Sequence, residues 1–379
     1  MEEPQSGPGF LLDGDNDAAI SLIERDLLSA VRAAEGYLLG GACVAGPSVL
    51  DECGKVVQDG TSTWQETMYA RIGRTWRDRR PETVWLDDKV AQIGITTEFC
   101  GKQFHLPLYA HAVAGDTESE AALKLAVLER VASEESFVVK PRHGANSRFV
   151  FLWPAPHGNP AAVVASVDEV LTGTDKSWQR ECWQLSQVPK GAIVQPLYST
   201  AVAGEGPKSR PAPLELKVQV LFGETVGATL NTHPQSLWIT RLGHVILWDL
   251  LDLKRRGHTR CRKLDRCFGP NLLPEALETL QDVLCQDWRT IRRNSEELCR
   301  RAGLDELRVD WLVGDFRWGS RIGELTYMGA GGRLPAPVSR RLACAYAGAH
   351  LCNAGLLPER EAQRLFRFAD SVPSAQNRI

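Results

Sequence analysis

Lysine is scarce in this chain: of its 44 basic residues only 11 are lysine. A lysine at a defined place in a motif therefore carries more information here than usual. Neither sign of charge dominates, with 44 basic against 47 acidic residues and a net charge of −3. That balance gives no electrostatic case for nucleic acid or an anionic membrane surface. No apolar run approaches the roughly 18 residues a membrane-spanning helix needs. The ten cysteines form no CxxC pair and have no histidine at zinc-module spacing, so reduced, core-packed thiols are expected. The start, "MEEPQSGPGFLLDGDND", lacks a basic stretch followed by an apolar one, so no secretory signal is expected and a cytoplasmic location is. Internal repeats are absent.

What is present is an ordinary globular composition, 43% apolar and 24% charged over 379 residues, long enough for two or three domains. Residues 1–14 are expected to be disordered. "DAAISLIERDLLSAVRAAEGYLL" has helical apolar spacing, with Gly40 and Gly41 as a stop. "TWQETMYARIGRTWRDRR" reads as a solvated amphipathic helix rather than a nucleic-acid stacking surface. From residue 86 short strands alternate with helices. Asp87 or Asp88 is placed to cap a helix at "WLDDKVAQIGI", and "ESEAALKLAVLERVAS" is amphipathic. "FVVK" and "RFVFLW" read as strands joined by "PRHGANS". "VDEVLTG" and "SWQRECWQLSQ" read as helices, and "GAIVQPLY" as a strand. A Gly/Pro/Ser-rich loop is expected over 199–213. Meander-like strands follow, then the longest helical stretch, "PEALETLQDVLCQDWRTIRRNSEELCRRAG", and helices again at the carboxyl-terminal side.

Two segments raise chemical questions. In "FVVKPRHGANSRFVFLW" a lysine sits where an apolar strand meets a flexible turn. It is either a solvated charge on a hairpin or part of a phosphate-gripping lid. In "RVDW" followed by "IGELTYMGAGG", a hairpin turning near Arg317 sets Asp310 opposite Glu324 on one face. Opposed carboxylates repel unless a cation lies between them. Magnesium, with its preference for hard oxygen ligands, does this while bridging to phosphates. Arg308 and Arg321 offer a metal-free alternative.

Three lysine-bearing segments precede that pair: Lys89 in "LDDKVAQ", Lys140 in "FVVKPRHGANS" and Lys217 in "LELKVQVLFG". Together with Trp178, Trp183, "AIVQPLY" and "RVD…GELT…GG", this ordered set resembles the ATP-grasp superfamily, and within it the TupA-like group, over about residues 86–335. The resemblance implies an α+β ATP-grasp fold, two α+β subdomains clasping ATP, with a mostly helical amino-terminal region. Its divisions would be a helical region at 15–85, a lid subdomain at 86–198, a core subdomain with the metal site at 199–350, and a helical tail at 351–379.

On this resemblance Lys89 and Lys140 would touch the α/β phosphates. The turn of His143, Gly144, Asn146 and Ser147 would close over the β/γ phosphates, and Arg142, His143 and Arg148 are candidates for γ-phosphate or substrate contact. Gln195 would accept from the adenine amino group as a neutral acceptor, and the hinge at Leu197 would present backbone groups to adenine. Glu215 or Lys217 would reach ribose or phosphate. Asp310, Glu324 and Thr326 would hold Mg²⁺, with Mn²⁺ as a substitute. Arg308 and the amides of Gly331 and Gly332 would stabilise a developing oxyanion. The implied activity is an ATP-dependent carboxylate–amine ligase using small-molecule substrates and an acyl phosphate. A kinase of the same fold and a non-catalytic nucleotide-binding protein are the alternatives.

Overall fold

The chain is described from a computed structural model over residues 10–11, 16–39, 49–59, 61–145, 147–154, 160–199, 213–230, 237–247, 273–329 and 334–365. A short strand, β1 (Phe10–Leu11), precedes three helices, α1 (Asn16–Leu39), α2 (Val49–Asp59) and α3 (Trp64–Asp78). A small lobe follows: α4 (Lys89–Cys100), β2 (Ala110–Val113), α5 (Thr117–Ala132), β3 (Phe137–Pro141), β4 (Phe151–Trp153), α6 (Pro160–Thr172) and β5 (Gly191–Pro196). The large lobe holds β6 (Leu214–Leu221), β7 (Glu224–Leu230), β8 (Leu237–Ile239), β9 (Val245–Leu247), α7 (Leu273–Gln286), α8 (Trp288–Ala302), β10 (Glu306–Val313) and β11 (Arg321–Thr326). Beyond it lie α9 (Ala336–Asn353) and α10 (Glu359–Leu365).

The strands form two sheets, ordered β2-β5-β3-β4 in the small lobe and β1-β9-β8-β7-β6-β10-β11 in the large one. The class is α+β, as expected. Strand alternation decides what each sheet buries. In the small lobe Phe137, Val139, Ala192 and Val194 pack under α5 and α6 with Leu123, Val127, Val163 and Val167. That leaves Val138 and Lys140 on the opposite face. In the large lobe Leu216, Val218, Val309, Trp311 and Val313 pack against Leu280, Ile291 and Leu298 of α7 and α8. The other face of β6, β10 and β11 then carries Lys217, Asp310 and Glu324 towards the small lobe.

A third core joins the chain's two helical regions. Ile23 and Leu27 of α1, Cys53 of α2, Met68 of α3 and Leu342 and Tyr346 of α9 cluster with Trp238 and Ile246 of the large sheet and Phe222 of its β6–β7 turn. At its centre Asp305, fully buried, accepts from Arg71 (3.2 Å), the Tyr327 hydroxyl (3.2 Å) and the Tyr346 hydroxyl (2.5 Å), and lies 3.1 Å from His350 Nε2. Burial alone would raise this carboxyl; Arg71 and the hydrogen bonds outweigh it and hold Asp305 well below the usual range.

Several expectations are corrected. Phe10 and Leu11 are not disordered: they pair in parallel with Val245 and Ile246. The rest of 1–14, the Gly40–Gly41 stop and most of the 199–213 loop lie outside the described residues. "SWQRECWQLSQ" forms two short 3₁₀ turns, Lys176–Arg180 and Gln184–Gln187, instead of a helix. Asp175 accepts from the Ser177 amide at 2.7 Å, and Trp178 turns inward to donate to Ala145 O at 2.9 Å. The strand expected from Arg148 starts at Phe151, because Ser147 and Phe149 take left-handed φ values of 53° and 56°. The long helical stretch is broken at Asp287 between α7 and α8.

Candidate active site

The β10–β11 hairpin sets Asp310 directly opposite Glu324, by a route the spacing did not show. Near the turn Trp311 pairs with Ile322 and Leu312 with Arg321, one residue off the expected register. A bulge between Asp310 and Trp311 leaves Gly323 as the extra residue and restores the alignment of the acids. On the other side of β10, Lys217 is the Cα partner of Asp310 and Gln219 that of Arg308.

The two carboxylates have different surroundings. Asp310, 2% exposed, accepts from Arg308 Nε (2.6 Å) and Nη2 (2.9 Å) and from Lys217 Nζ (2.7 Å). Burial would raise its pKa, but these two cations outweigh it and hold the carboxyl below its ordinary range. The Glu324 side chain is 45% exposed, with Lys89 Nζ at 3.9 Å. Arg308 also donates to the Thr326 hydroxyl at 3.0 Å. Lys217 bridges onward to Glu215, whose carboxyl burial and Asp310 push upward. Arg308, and not Arg321, neutralises Asp310; Arg321 Nη1 donates to the Ser320 carbonyl.

The small lobe brings its lysines over this face. Asp88 caps α4, accepting from the Val90 amide at 3.0 Å, and grips Arg142 through Nε (2.8 Å) and Nη2 (2.5 Å). Arg142 therefore ties the start of α4 to the turn that follows β3. Lys89 donates to the Gly144 carbonyl. Lys140 is pushed down to about 8, mainly by burial and then by the nearby Lys89 charge. Gly144 has no room for a side chain: a Cβ there would lie 2.7 Å from Pro141 Cγ and 3.1 Å from Trp178.

Between the lobes lies a cavity of about 250 Å³. Lys89, Lys140, Glu215 and Glu324 are its charged lining, and Leu106, Val138, Leu152, Leu197 and Leu312 its apolar lining. Gly144, Ser147 and Arg148 of the lid turn also line it.

Other expected contacts fall elsewhere. The His143 imidazole is fully engaged with backbone. Nδ1 accepts from the Gly191 amide at 3.2 Å, so Nε2 carries the proton and faces Gly173 O at 3.0 Å. Burial pulls its pKa down, leaving a neutral ring that braces the turn rather than a side chain for phosphate. Gln195 donates to Leu106 O at 3.1 Å and lines an adjoining cavity of about 20 Å³, not the larger one. The Leu197 amide donates to Ser136 O at 3.1 Å, so that donor is already engaged. The hinge is instead tied down through Tyr198, whose hydroxyl donates to Gly319 O (2.9 Å) and accepts from the Asp315 amide (3.1 Å). Asn146, Gly331 and Gly332 lie outside the described residues. Of the "GAGG" run Gly329 is described, and a Cβ there would meet Arg308 Nη1 at 3.2 Å.

Among the described residues no group of three or more His, Cys, Asp or Glu side chains is arranged for a metal. The donor set fits a cation that takes part of its shell from phosphate. Glu324 projects into the cleft, the Thr326 hydroxyl lies two residues along β11, and Asp310 faces Glu324. Three donors already occupy Asp310, one on Oδ1 and two on Oδ2, which leaves one of its roughly four acceptor positions, on Oδ1, for a cation.

A second cavity, about 260 Å³, adjoins the first and shares Glu324 and Ala145 with it. Tyr69, Ile72, Asp87, Glu181, Cys182, Arg308 and Tyr327 line it. Burial pushes the Asp87 carboxyl up to about 6, and the Cys182 thiol donates to it at 3.1 Å. None of Tyr69, Asp87, Glu181 and Tyr327 was singled out in sequence as a site residue. One signal was present: only one acid of the Asp87–Asp88 pair is needed as a cap.

No protein-family model matches the sequence, and no curated protein matches it. Among solved structures the chain is similar to D-cycloserine synthetase DcsG, with 16% identity and a TM-score of 0.39 over 84% of this chain and 94% of that one. It is also similar to ATP-grasp ligase PsnB complexed with a precursor variant, Mg and ADP, with 12% identity and a TM-score of 0.32, covering 70% of this chain and 59% of that one. A bifunctional glutathione synthetase from Pasteurella multocida gives 11% identity and a TM-score of 0.32, covering 73% of this chain and 37% of that one. Similarity at this level assigns no residue role and no substrate to the present chain.

Proposed function

We propose that the chain is an ATP- and Mg²⁺-dependent ligase that joins a carboxylate to an amine through an acyl phosphate, with ATP held between its two lobes. The observation that carries this reading is the cleft face. Lys89 and Lys140 from one lobe and Glu215 and Glu324 from the other line a cavity with apolar walls, and Asp310 and Lys217 pair with each other on the same sheet face as Glu324. Burial first and then the repulsion of the neighbouring Lys89 lower the Lys140 pKa. A polyanion relieves that repulsion. The apolar lining suits a flat base and the lysines suit phosphates.

In this reading Lys89 and Lys140 bind the phosphates, and the Gly144–Ser147 turn covers them and excludes water. Glu324, Asp310 and Thr326 would hold Mg²⁺, which when bound supplies charge neutralisation on the transferring phosphoryl group. Arg308, in the wall of the second cavity, would stabilise the oxyanion formed when an amine attacks the acyl phosphate. Arg308 and Lys217 together keep Asp310 ionised in its buried position.

The test is ADP release over pooled carboxylates and amines with hydroxylamine as trap. Hydroxamate is the expected product. A stable phosphorylated product with no hydroxamate would replace the ligase reading with a kinase, and no nucleotide turnover would remove both.

A further inference from the structure

Glu306 stands two residues before Arg308 on β10, so both side chains leave the same face of the sheet. It is 1% exposed, and a carboxyl so buried needs a donor. Its Oε1 accepts from the Met328 amide, and its Oε2 has no hydrogen-bond partner among the described residues. Arg71 keeps Nη1 3.9 Å from that Oε1 and gives Nη2 to Asp305 and Tyr327. Met328 has a left-handed φ of 59°, a conformation that a residue with a side chain keeps only where its surroundings hold it. Glu306 supplies a hold on that amide. The next residue, Gly329, lies against Arg308: a Cβ there would be 3.2 Å from Nη1 and 3.4 Å from the arginine Cβ. Arg308 commits Nε and Nη2 to Asp310, and Nη2 also to Thr326. Nη1 has no hydrogen-bond partner among the described residues and is the donor left for a substrate oxygen. Arg308 and Met328 both line the second cavity.

We infer that Glu306 is a positioning residue: by holding the Met328 amide it seats Gly329 against Arg308 and fixes the Nη1 donor for the oxyanion. The inference rests on the ligase reading, which gives Arg308 that task. Glu306 acts through the turn and touches no substrate. Burial pushes its carboxyl up to about 7, so at neutral pH it is already partly protonated. A neutral group with the same acceptor oxygen can therefore stand in for it, whereas an apolar one cannot.

The test is the hydroxylamine assay on the full chain, with the carboxylate that supports hydroxamate formation in the parent. Glu306→Leu removes the acceptor, Glu306→Gln keeps it, and Gly329→Ala presses on Arg308 from the turn with Glu306 in place. Glu306→Met replaces Glu306→Leu if the latter lacks a cooperative thermal transition. Glu306→Leu and Gly329→Ala should each lower kcat about tenfold or more, as for a misplaced transition-state donor. The KM for ATP, and the affinity for a non-hydrolysable analogue with Mg²⁺, should stay within about twofold, because that loss falls on the transition state alone. Glu306→Gln should remain within about threefold of the parent, as its acceptor oxygen is retained. The double variant Glu306→Leu with Gly329→Ala should be no slower than the slower single one, since both act through one donor. Hydrogen exchange at the Met328 amide should quicken in Glu306→Leu and not in Glu306→Gln. An unchanged kcat in Glu306→Leu, a Gln variant as slow as the Leu one, additive losses, unchanged exchange at Met328, or nucleotide affinity falling in step with kcat would overturn the inference, while hydroxamate from the parent upheld the ligase reading. No hydroxamate from the parent would overturn that reading and this inference with it.

Discussion

Asp310→Ala and Glu324→Ala should both abolish turnover, yet differ sharply in stability. Asp310 is 2% exposed and receives three charged hydrogen bonds of 2.6–2.9 Å from Arg308 and Lys217. Removing it strands the buried Arg308 guanidinium, while Lys217 keeps Glu215 as its counter-ion. Breaking a buried pair from one side costs about 3–5 kcal/mol, a large share of a typical total of about 5–15 kcal/mol. The Glu324 side chain is 45% exposed, with its cationic neighbour 3.9 Å away. Pairs of that kind contribute about 0–1 kcal/mol. Urea denaturation followed by circular dichroism measures both, with ADP release measured on the same preparations. A second step checks the cause: adding Arg308→Met to Asp310→Ala removes the stranded guanidinium and should recover about 1 kcal/mol or more. An Asp310→Ala variant within about 1 kcal/mol of the parent, or a Glu324→Ala variant as unstable as Asp310→Ala, would refute the reasoning.

Arg71→Met should cost about 3–5 kcal/mol, because it strands the fully buried Asp305; chemical denaturation reads it. The depressed Asp305 carboxyl makes its contribution at neutral pH, and that contribution is lost as the pH falls below the unfolded carboxylate value towards the folded one. Gly144→Ala should cost about 1–3 kcal/mol through overpacking against Pro141 and Trp178 and weaken nucleotide binding by displacing the lid turn; thermal melts and calorimetry test the two effects. Nucleotide binding at pH 9 should take up a proton, because free Lys140 titrates at about 8 and a phosphate favours its charged form. Calorimetry in buffers of different ionisation enthalpy should show that uptake, and Lys140→Met should remove it.

Much of this was legible in sequence because the informative positions are governed by strand alternation. Once "RVDW" and "GELT" are read as one hairpin, the facing of Asp310 and Glu324 follows, although it holds in the fold only through the Gly323 bulge. Capping chemistry made Asp88 readable, since an acid before a helix has a defined amide to accept. The misread parts depend on long-range partners. His143 and Gln195 are engaged by Gly173, Gly191 and Leu106, between 30 and 89 positions away in the chain, and no local pattern announces those contacts. The second cavity was invisible for the same reason: it assembles Tyr69, Asp87, Glu181 and Tyr327 from separate segments.

Isothermal titration of the full chain with a non-hydrolysable ATP analogue, with and without Mg²⁺, is the most direct measurement. The expected result is binding that strengthens when Mg²⁺ is present, with the magnesium dependence lost in Glu324→Ala and affinity reduced in Lys140→Met. Absence of binding, or binding indifferent to both magnesium and those two substitutions, would contradict a nucleotide held between the lobes.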